Sequence, residues 1–165
     1  MTIRIAKILL LAGVALLHLL IVFNNLSDFD SNYQFVRHVL SMDSTLPGNH
    51  AMYRTLTSPA WNLVFYWGII LWELISTVLL WWGVAALVRA RHGQAIQFNA
   101  ARGTAIIALT LSLLLWLVAF LDIGGEWFLM WQSAQWNGQA AAARNFTVVG
   151  IVLLLLLQPD TESEP

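Results

Sequence analysis

One long apolar run carries an acidic residue near its middle. The run covers residues 59–89, PAWNLVFYWGIILWELISTVLLWWGVAALVR, and the acid is Glu73. The hydrocarbon core of a bilayer, about 30 Å thick, takes about 20 helical residues. A carboxylate near the midplane costs at least about 2.5–3.5 kcal/mol. We therefore expect the run to be a membrane span and Glu73 to face neighbouring helices, which makes it the first candidate functional residue.

The composition excludes several classes of function. The chain is 59% hydrophobic and 10% charged, whereas about a quarter of the residues in a soluble domain are charged. The net charge is −1, and the few basic residues lie at the ends of apolar runs, so the sequence predicts no nucleic-acid partner. Cysteine is absent, which excludes disulfides, thiol redox pairs and cysteine zinc sites.

Three further apolar runs complete the predicted architecture. We predict spans at about 5–23, 59–88, 104–121 and 139–157, forming an all-α, four-span transmembrane bundle in one membrane domain, 1–165. The first run has no small-x-small cleavage site after it, so we expect an uncleaved helix. At the third, Ala101 just before the run and Ala105, Ala108 and Ser112 within it form a small-residue row that would let a neighbouring helix approach closely.

Two polar connections link the spans on one side. Residues 32–42, NYQFVRHVLSM, place apolar side chains at helical spacing, which predicts a short amphipathic helix on the membrane surface. Before the fourth span, GEWFLMWQSAQWNGQ holds three tryptophans, a composition typical of the lipid headgroup level. Both connections are predicted to lie outside, with both termini in the cytoplasm, because the basic residues favour the other side by five to three: Arg4, Lys7, Arg89, Arg91 and Arg102 against Arg37, Arg54 and Arg144.

Three segments carry a resemblance to a known family. They are NNLSDFDSNYQFVRHVLSMD, the WE pair inside the second span, and GGEWFLMWQSAQWNGQ. With them the chain resembles, over essentially its whole length, a bacterial family of predicted small integral membrane proteins of unassigned function. The resemblance implies a four-span fold in a bacterial inner membrane and implies no catalytic residue.

Five polar residues inside the spans are predicted to be buried between helices: Glu73, Lys7, His18, Tyr66 and Thr77. Counted along the helices, Lys7 lies about 6 Å deeper than Glu73, whereas His18 lies about 10 Å shallower, so Lys7 is the nearer of the two. We therefore predict either a Lys7–Glu73 ion pair or a protonated Glu73 bonded to Thr110 or Ser112.

A second group of candidates lies near the outer interface, where His18 and Tyr66 could join it in one aromatic-lined pocket. A mixture of rings and a few donors suits a quinone or a lipid headgroup. The alternative is an ordinary aromatic belt with polar caps. The predicted ligand or partner surface comprises Asn25, Arg37, His38, Glu126, Trp127, Trp131, Gln132 and Asn137.

Metal and haem sites have weak support. Asp28, Asp30 and Asn32 begin a calcium-loop pattern, but Tyr33 and Val39 stand where glycine and glutamate are required. A looser cation site with Asp43 stays open as an alternative. A b-type haem usually needs two inward histidines, and His18 could be joined by His38 or His50 from the connection. We predict no metal ion, no cofactor and no catalytic residue.

Two classes of function follow. The first is a non-catalytic accessory or scaffold component of a membrane complex, whose partners are the lipid bilayer and another membrane protein or further copies of this chain. The second is a redox-linked membrane module that binds a quinone, lipid headgroup or haem in the outer pocket. A transporter is third, since four spans form a narrow bundle. The sequence contains no Ser-His-acid spacing, no HExxH motif and no phosphate loop, so it does not indicate an enzyme acting alone.

Overall fold

Four helical spans form the body of the molecule. The computed structural model describes residues 1–160, and they contain helices and loops but no strand. The spans are α1 (Thr2–Ser27), α3 (Pro59–Ala90), a third that joins α4 (Ala95–Ala101), α5 (Gly103–Leu114) and a π-helix (Leu115–Trp127), and α6 (Gln139–Leu157). All four are long and apolar enough to cross a membrane. The predicted all-α, four-span fold is confirmed.

The helices alternate in direction, so the described chain starts and finishes at the same end of the bundle. We call this the terminal end. There Arg4 forms an ion pair with Asp160 at 2.6 Å, and Arg102 Nη1 donates to the carbonyls of Leu156 and Gln158. Arg102 thus satisfies carbonyls at the end of α6 that have no partner within the helix, and Arg4 holds Asp160 just after them.

The opposite end, which we call the connection end, holds α2 (Phe29–Ser41) and the two polar connections. The predicted amphipathic helix starts three residues before the expected position, and it buries Val36, Val39 and Leu40 against the bundle. Ser44 Oγ donates to Ser133 Oγ at 2.8 Å, and Leu46 N–H donates to Gln132 Oε1. The two connections therefore bind each other and form one cap.

Two spans continue beyond their predicted ends. α1 was expected to stop near residue 23 but runs to Ser27, which puts Asn25 inside the helix. The third span was expected to close near Asp122 and the glycine pair but continues to Trp127 as a π-helix, whose last bond runs from Phe128 N–H to Ile123 O. Backbone groups in a bilayer must be paired within the protein, which favours continued helix over an early turn.

Small residues bring α3 and α5 together in the terminal half. A Cβ on Gly83 would lie 2.8 Å from Ala105 Cβ, so the two backbones are as close as glycine permits. Ala105, Ala108 and Ser112 are fully buried, as expected for a small-residue row at a helix interface. Leu11, Leu80 and Leu109 pack around this contact and form the core of the bundle.

Candidate functional site

A cavity of about 270 Å³ lies between the spans in the connection half of the bundle. We call it the polar cavity. Every span contributes to its wall, and α2 covers part of it. Its lining comprises Ile21, Asn25, Asn32, Phe35, Val36, Tyr66, Ile69, Glu73, Trp116, Phe120, Gly138, Ala141 and Asn145.

Glu73 faces this cavity from the middle of α3. Its side chain is 1% exposed, and Asn25 Nδ2 donates a hydrogen bond of 2.6 Å to its Oε2. The hydroxyl of Tyr66 donates to the backbone carbonyl of Asn25 at 2.8 Å. These bonds join the last turn of α1 to α3, so the cavity wall is held by two spans that contact each other through polar groups.

The position of the polar residues on α3 follows from helical spacing. Tyr66 and Glu73 are two turns apart and share one face, and Ser76 and Thr77 continue it. All four side chains are buried. Thr77 Oγ1 donates to the Glu73 carbonyl of its own helix at 2.7 Å. Ser76 Oγ has no hydrogen-bond partner among the described residues. The polar face therefore continues beyond the cavity toward the core.

The opposite wall supplies hydrogen-bond donors. Trp116, at the start of the π-helix, is 5% exposed, and its Nε1 has no partner in the described part of the chain. A buried donor without a partner costs about 1–3 kcal/mol. Asn145, in the second turn of α6, is 7% exposed and adds a side-chain amide. The opposite wall therefore holds an amide and, on Trp116, a donor without a described partner.

The predicted partners of Glu73 are wrong. Lys7 is buried, but its Nζ donates to Gln158 O at the terminal end and is not paired with Glu73. Thr110 Oγ1 donates to its own helix at Ile106 O, and Ser112 is bonded to His18. The continuation of α1 to Ser27 explains the difference, because it brings an amide side chain beside the acid.

His18 connects α1 to α5 and is fully buried. Its Nδ1 donates to the Val14 carbonyl at 3.0 Å, and its Nε2 lies 2.5 Å from Ser112 Oγ. Both ring nitrogens are therefore occupied by hydrogen bonds, which leaves neither free for iron. His38, one of the two histidines considered as a second haem ligand beside His50, bonds to Asp43 Oδ2 at 2.7 Å and stacks on Trp136.

The structure separates the outer candidate residues. Of the eight, Asn25 lines the polar cavity. Arg37 Nη1 donates to Gln34 Oε1 on the surface of α2. Trp127 is half-exposed and lies under the guanidinium of Arg54 at 4.7 Å. The others lie on the cap: Glu126, Trp131 and Asn137 are exposed, Gln132 bonds to Leu46, and His38 stacks on Trp136. They do not line one pocket.

The aspartates considered for a looser cation site do not converge. Asp43 bonds to His38, and Asp30 Oδ1 accepts a bond from Gln34. Within residues 1–160, no group of three or more His, Cys, Asp or Glu side chains is placed to hold a metal ion.

An apolar groove of about 350 Å³ adjoins the polar cavity. It lies between α2, α3 and the π-helix, and Trp61, Gly68 and Trp72 form its α3 side. The groove and the polar cavity share four lining residues: Phe35, Val36, Ile69 and Phe120. Polar and apolar spaces are therefore neighbours, separated by a few side chains.

Comparison with known proteins identifies a family. The family model described as predicted small integral membrane protein (DUF2165) matches residues 3–159. The chain belongs to this family. No curated protein and no solved structure matches this DUF2165 member. The family has no assigned function, so its description supports the membrane location and leaves the role of the cavity to geometry.

Membership in the DUF2165 family makes the bundle a membrane-embedded one. Glu73 then lies near the middle of a 32-residue span, where an ionisable side chain is costly and usually functional. Sequence reasoning missed Trp116, Asn145 and Asn32 as lining residues. Asn145 carried a signal, since it is polar within an apolar run. Trp116 carried none, because its neighbours give it no distinct pattern.

Proposed function

We propose that this integral membrane protein is non-catalytic and binds a small amphiphilic molecule from the bilayer, a lipid or a quinone. The observation that carries the proposal is the Trp116 N–H, buried without a described partner on a residue that lines the cavity together with Glu73 and Asn145. Buried polar groups are nearly always paired, so an orphaned donor at the wall of a cavity favours a ligand that accepts its hydrogen bond.

The apolar groove supports an amphiphile over a wholly polar ligand. Small-molecule sites usually measure about 300–1,000 Å³, and the polar cavity alone is about 270 Å³. A polar head in the cavity would place an attached tail beside the shared wall of Phe35 and Phe120, next to the groove. The groove lies along Trp61 and Val64, which are more than half exposed on α3, so a tail could enter it from the bilayer.

Gly68 gives a direct test. A Cβ on Gly68 meets no atom within 4 Å, so Gly68→Phe can fill the groove without a clash at the backbone. Gly13, exposed on α1 with equally open space, supplies the control Gly13→Phe. Each protein is purified in mild detergent, and the lipids and quinones that it retains are extracted, identified and quantified by mass spectrometry.

We expect one amphiphile in stoichiometric amount with the wild type and Gly13→Phe, and at least tenfold less with Gly68→Phe. Equal retention by Gly68→Phe, or no stoichiometric molecule on the wild type, would contradict the proposal.

A role as an accessory or scaffold component of a membrane complex is the second candidate. The cap supports it, because cross-bonds between the connections hold Trp127 and Trp131 in place while both stay about half exposed. Tryptophan is enriched where proteins dock. The partner would be another membrane protein or a second copy of the chain.

Replacing Trp127 and Trp131 with Leu tests this second candidate by native mass in detergent. A docking surface predicts loss of the larger complex with insertion intact. An unchanged complex with lower thermal stability would instead make both residues interfacial anchors. The control is Trp82→Leu, a change at a lipid-exposed position on α3.

The bacterial inner membrane is the proposed location, with both termini in the cytoplasm. The terminal end carries Arg4, Lys7, Arg89, Arg91 and Arg102, and the connection end carries Arg37, Arg54 and Arg144. This excess supports a cytoplasmic terminal end, since positive residues concentrate on that side.

A further inference from the structure

We infer that the polar cavity selects an electrically neutral head that carries carbonyl or hydroxyl oxygens, the chemistry of a quinone or quinol ring. The inference rests on the proposed function and names the class of its ligand. It is carried by the charge of the lining, the donors that the lining presents and the shape of the walls.

Charge excludes an anionic head. Of the described lining residues, Glu73 alone carries a formal charge. Lys7 is bonded at the terminal end, Arg37 to Gln34, and Arg54 stacks on Trp127. A phosphate or carboxylate in the cavity would therefore be buried beside an acid, with no cation among the lining residues to pair with it, a costly arrangement in a low-dielectric site.

The donors argue against a cationic head. An ammonium group offers hydrogen-bond donors and no acceptor. It could pair with Glu73, but it would leave the Trp116 N–H orphaned. A carbonyl or hydroxyl oxygen accepts from Trp116 and from the Asn145 amide. A hydroxyl on the same ring can also bond to the Glu73 carboxyl, of which Oε2 already accepts from Asn25.

The walls suit a planar ring. Phe35, Tyr66, Trp116 and Phe120 all line the cavity, and aromatic side chains favour stacked or edge contacts with another ring. Ile69 and Val36 close the remaining apolar side. A flat head with oxygens at its edge would use the aromatic faces and the polar groups together.

Three probes with the same tail separate the charge classes: a benzoquinone with a decyl chain, decylammonium and decyl phosphate. Affinity for the purified full chain is measured by calorimetry in one mild detergent. We expect the quinone to bind at least tenfold more tightly than either charged probe. Tighter binding of the ammonium or the phosphate would overturn the neutral-head inference while leaving an amphiphile site in place.

Two substitutions test the contacts. Trp116→Phe keeps a ring but removes the N–H, and it should weaken quinone binding about tenfold, the scale of one buried hydrogen bond. The control Trp82→Phe, at a lipid-exposed position, should leave binding unchanged. Glu73→Gln should change quinone affinity less than about threefold, because the amide can still donate and accept, whereas a cationic ligand would lose most of its affinity.

The outcomes separate this inference from the proposed function. If Gly68→Phe abolishes quinone binding but Trp116→Phe does not, the head contacts are wrong and the amphiphile site stands. If no probe binds and Gly68→Phe retains the same lipids as the wild type, the proposed function fails as well. Thermal unfolding of each variant checks that a loss of binding is not a loss of fold.

Discussion

Asn25 satisfies a buried acid that would otherwise have no described donor. Its amide donates to Glu73 Oε2, and its backbone carbonyl accepts from Tyr66. Such a partner stabilises a buried acid in the bilayer because the lipid tails offer no hydrogen-bonding group that could replace it. One residue at the end of α1 therefore contacts both Glu73 and Tyr66 at the polar edge of the cavity.

Removal of this amide should destabilise the protein. We expect Asn25→Leu to lower the free energy of unfolding by about 1.5–3 kcal/mol, because the buried carboxyl loses its hydrogen bond. The neighbouring change Asn24→Leu, at an exposed position, is the control and should stay within about 0.5 kcal/mol. Denaturant unfolding in detergent measures both. Equal effects of the two changes would rule out the structural role of Asn25.

Gly83 permits a close approach between α3 and α5 in the core. A Cβ there would lie 2.8 Å from Ala105 Cβ and 2.9 Å from its Cα. We expect Gly83→Ala to cost about 1–3 kcal/mol through overpacking. Ala105→Gly in the same chain should recover part of that loss by removing the facing methyl group. Thermal melts of the single and double variants measure these changes in stability. If Ala105→Gly recovers none of the stability lost by Gly83→Ala, the contact between the two residues is contradicted.

At the level of elements, the π-helix Leu115–Trp127 builds one side of both cavities. Trp116 lines the polar cavity, Gly124 lines the groove, and Phe120 lines both. π-helical turns occur often at functional sites, and this one keeps backbone groups paired while placing aromatic and small residues side by side. The third span is therefore both a membrane helix and the divider of the candidate site.

A second link between elements is the bond of His18 on α1 to Ser112 on α5. Each single change, His18→Phe or Ser112→Ala, should cost about 1–3 kcal/mol by leaving its partner unpaired. The double variant should cost less than the sum, with a coupling of about 0.5–3 kcal/mol. Thr110→Ala is the control, since Thr110 is exposed and bonds to its own helix. Strict additivity would show that the two side chains do not interact.

For the whole molecule, the even number of spans places both ends of the described chain together. Arg4, Lys7 and Arg102 then hold the end of α6 through Asp160 and the carbonyls of Leu156 and Gln158. Cations near a helix C-terminus are favourable, so the bundle is closed at this end by charge and at the other by the cap.

Reporter fusions test the orientation. We expect a fusion after Pro165, which lies outside the described residues, to report the cytoplasm, and an insertion at Gly48 in the first connection to report the opposite side. The reason is the basic excess at the terminal end. The same side from both fusions would overturn the four-span arrangement, and reversed sides would overturn the orientation alone.

Hydropathy and helical spacing determined the fold from sequence. Continuous apolar runs of about 20 residues cross a bilayer as helices, so the four spans, the start of α3 at Pro59 and the fourth span Gln139–Leu157 could be predicted. Spacing also put Tyr66, Glu73 and Thr77 on one face of a helix. Exact ends were less predictable, since polar residues such as Asn25 and Asp122 continue a helix when their backbone groups stay paired.

Only the tertiary structure decided which side chains meet. Lys7 and Glu73 are polar residues on predicted facing helices, yet Lys7 bonds at the terminal end and Asn25 bonds to Glu73. Trp116 became part of the site through the packing of the third span against the others. Counting residues along one helix estimates how deep a side chain lies in the bilayer, but it does not give the register between two neighbouring helices. That register is set by close packing and by where each helix ends.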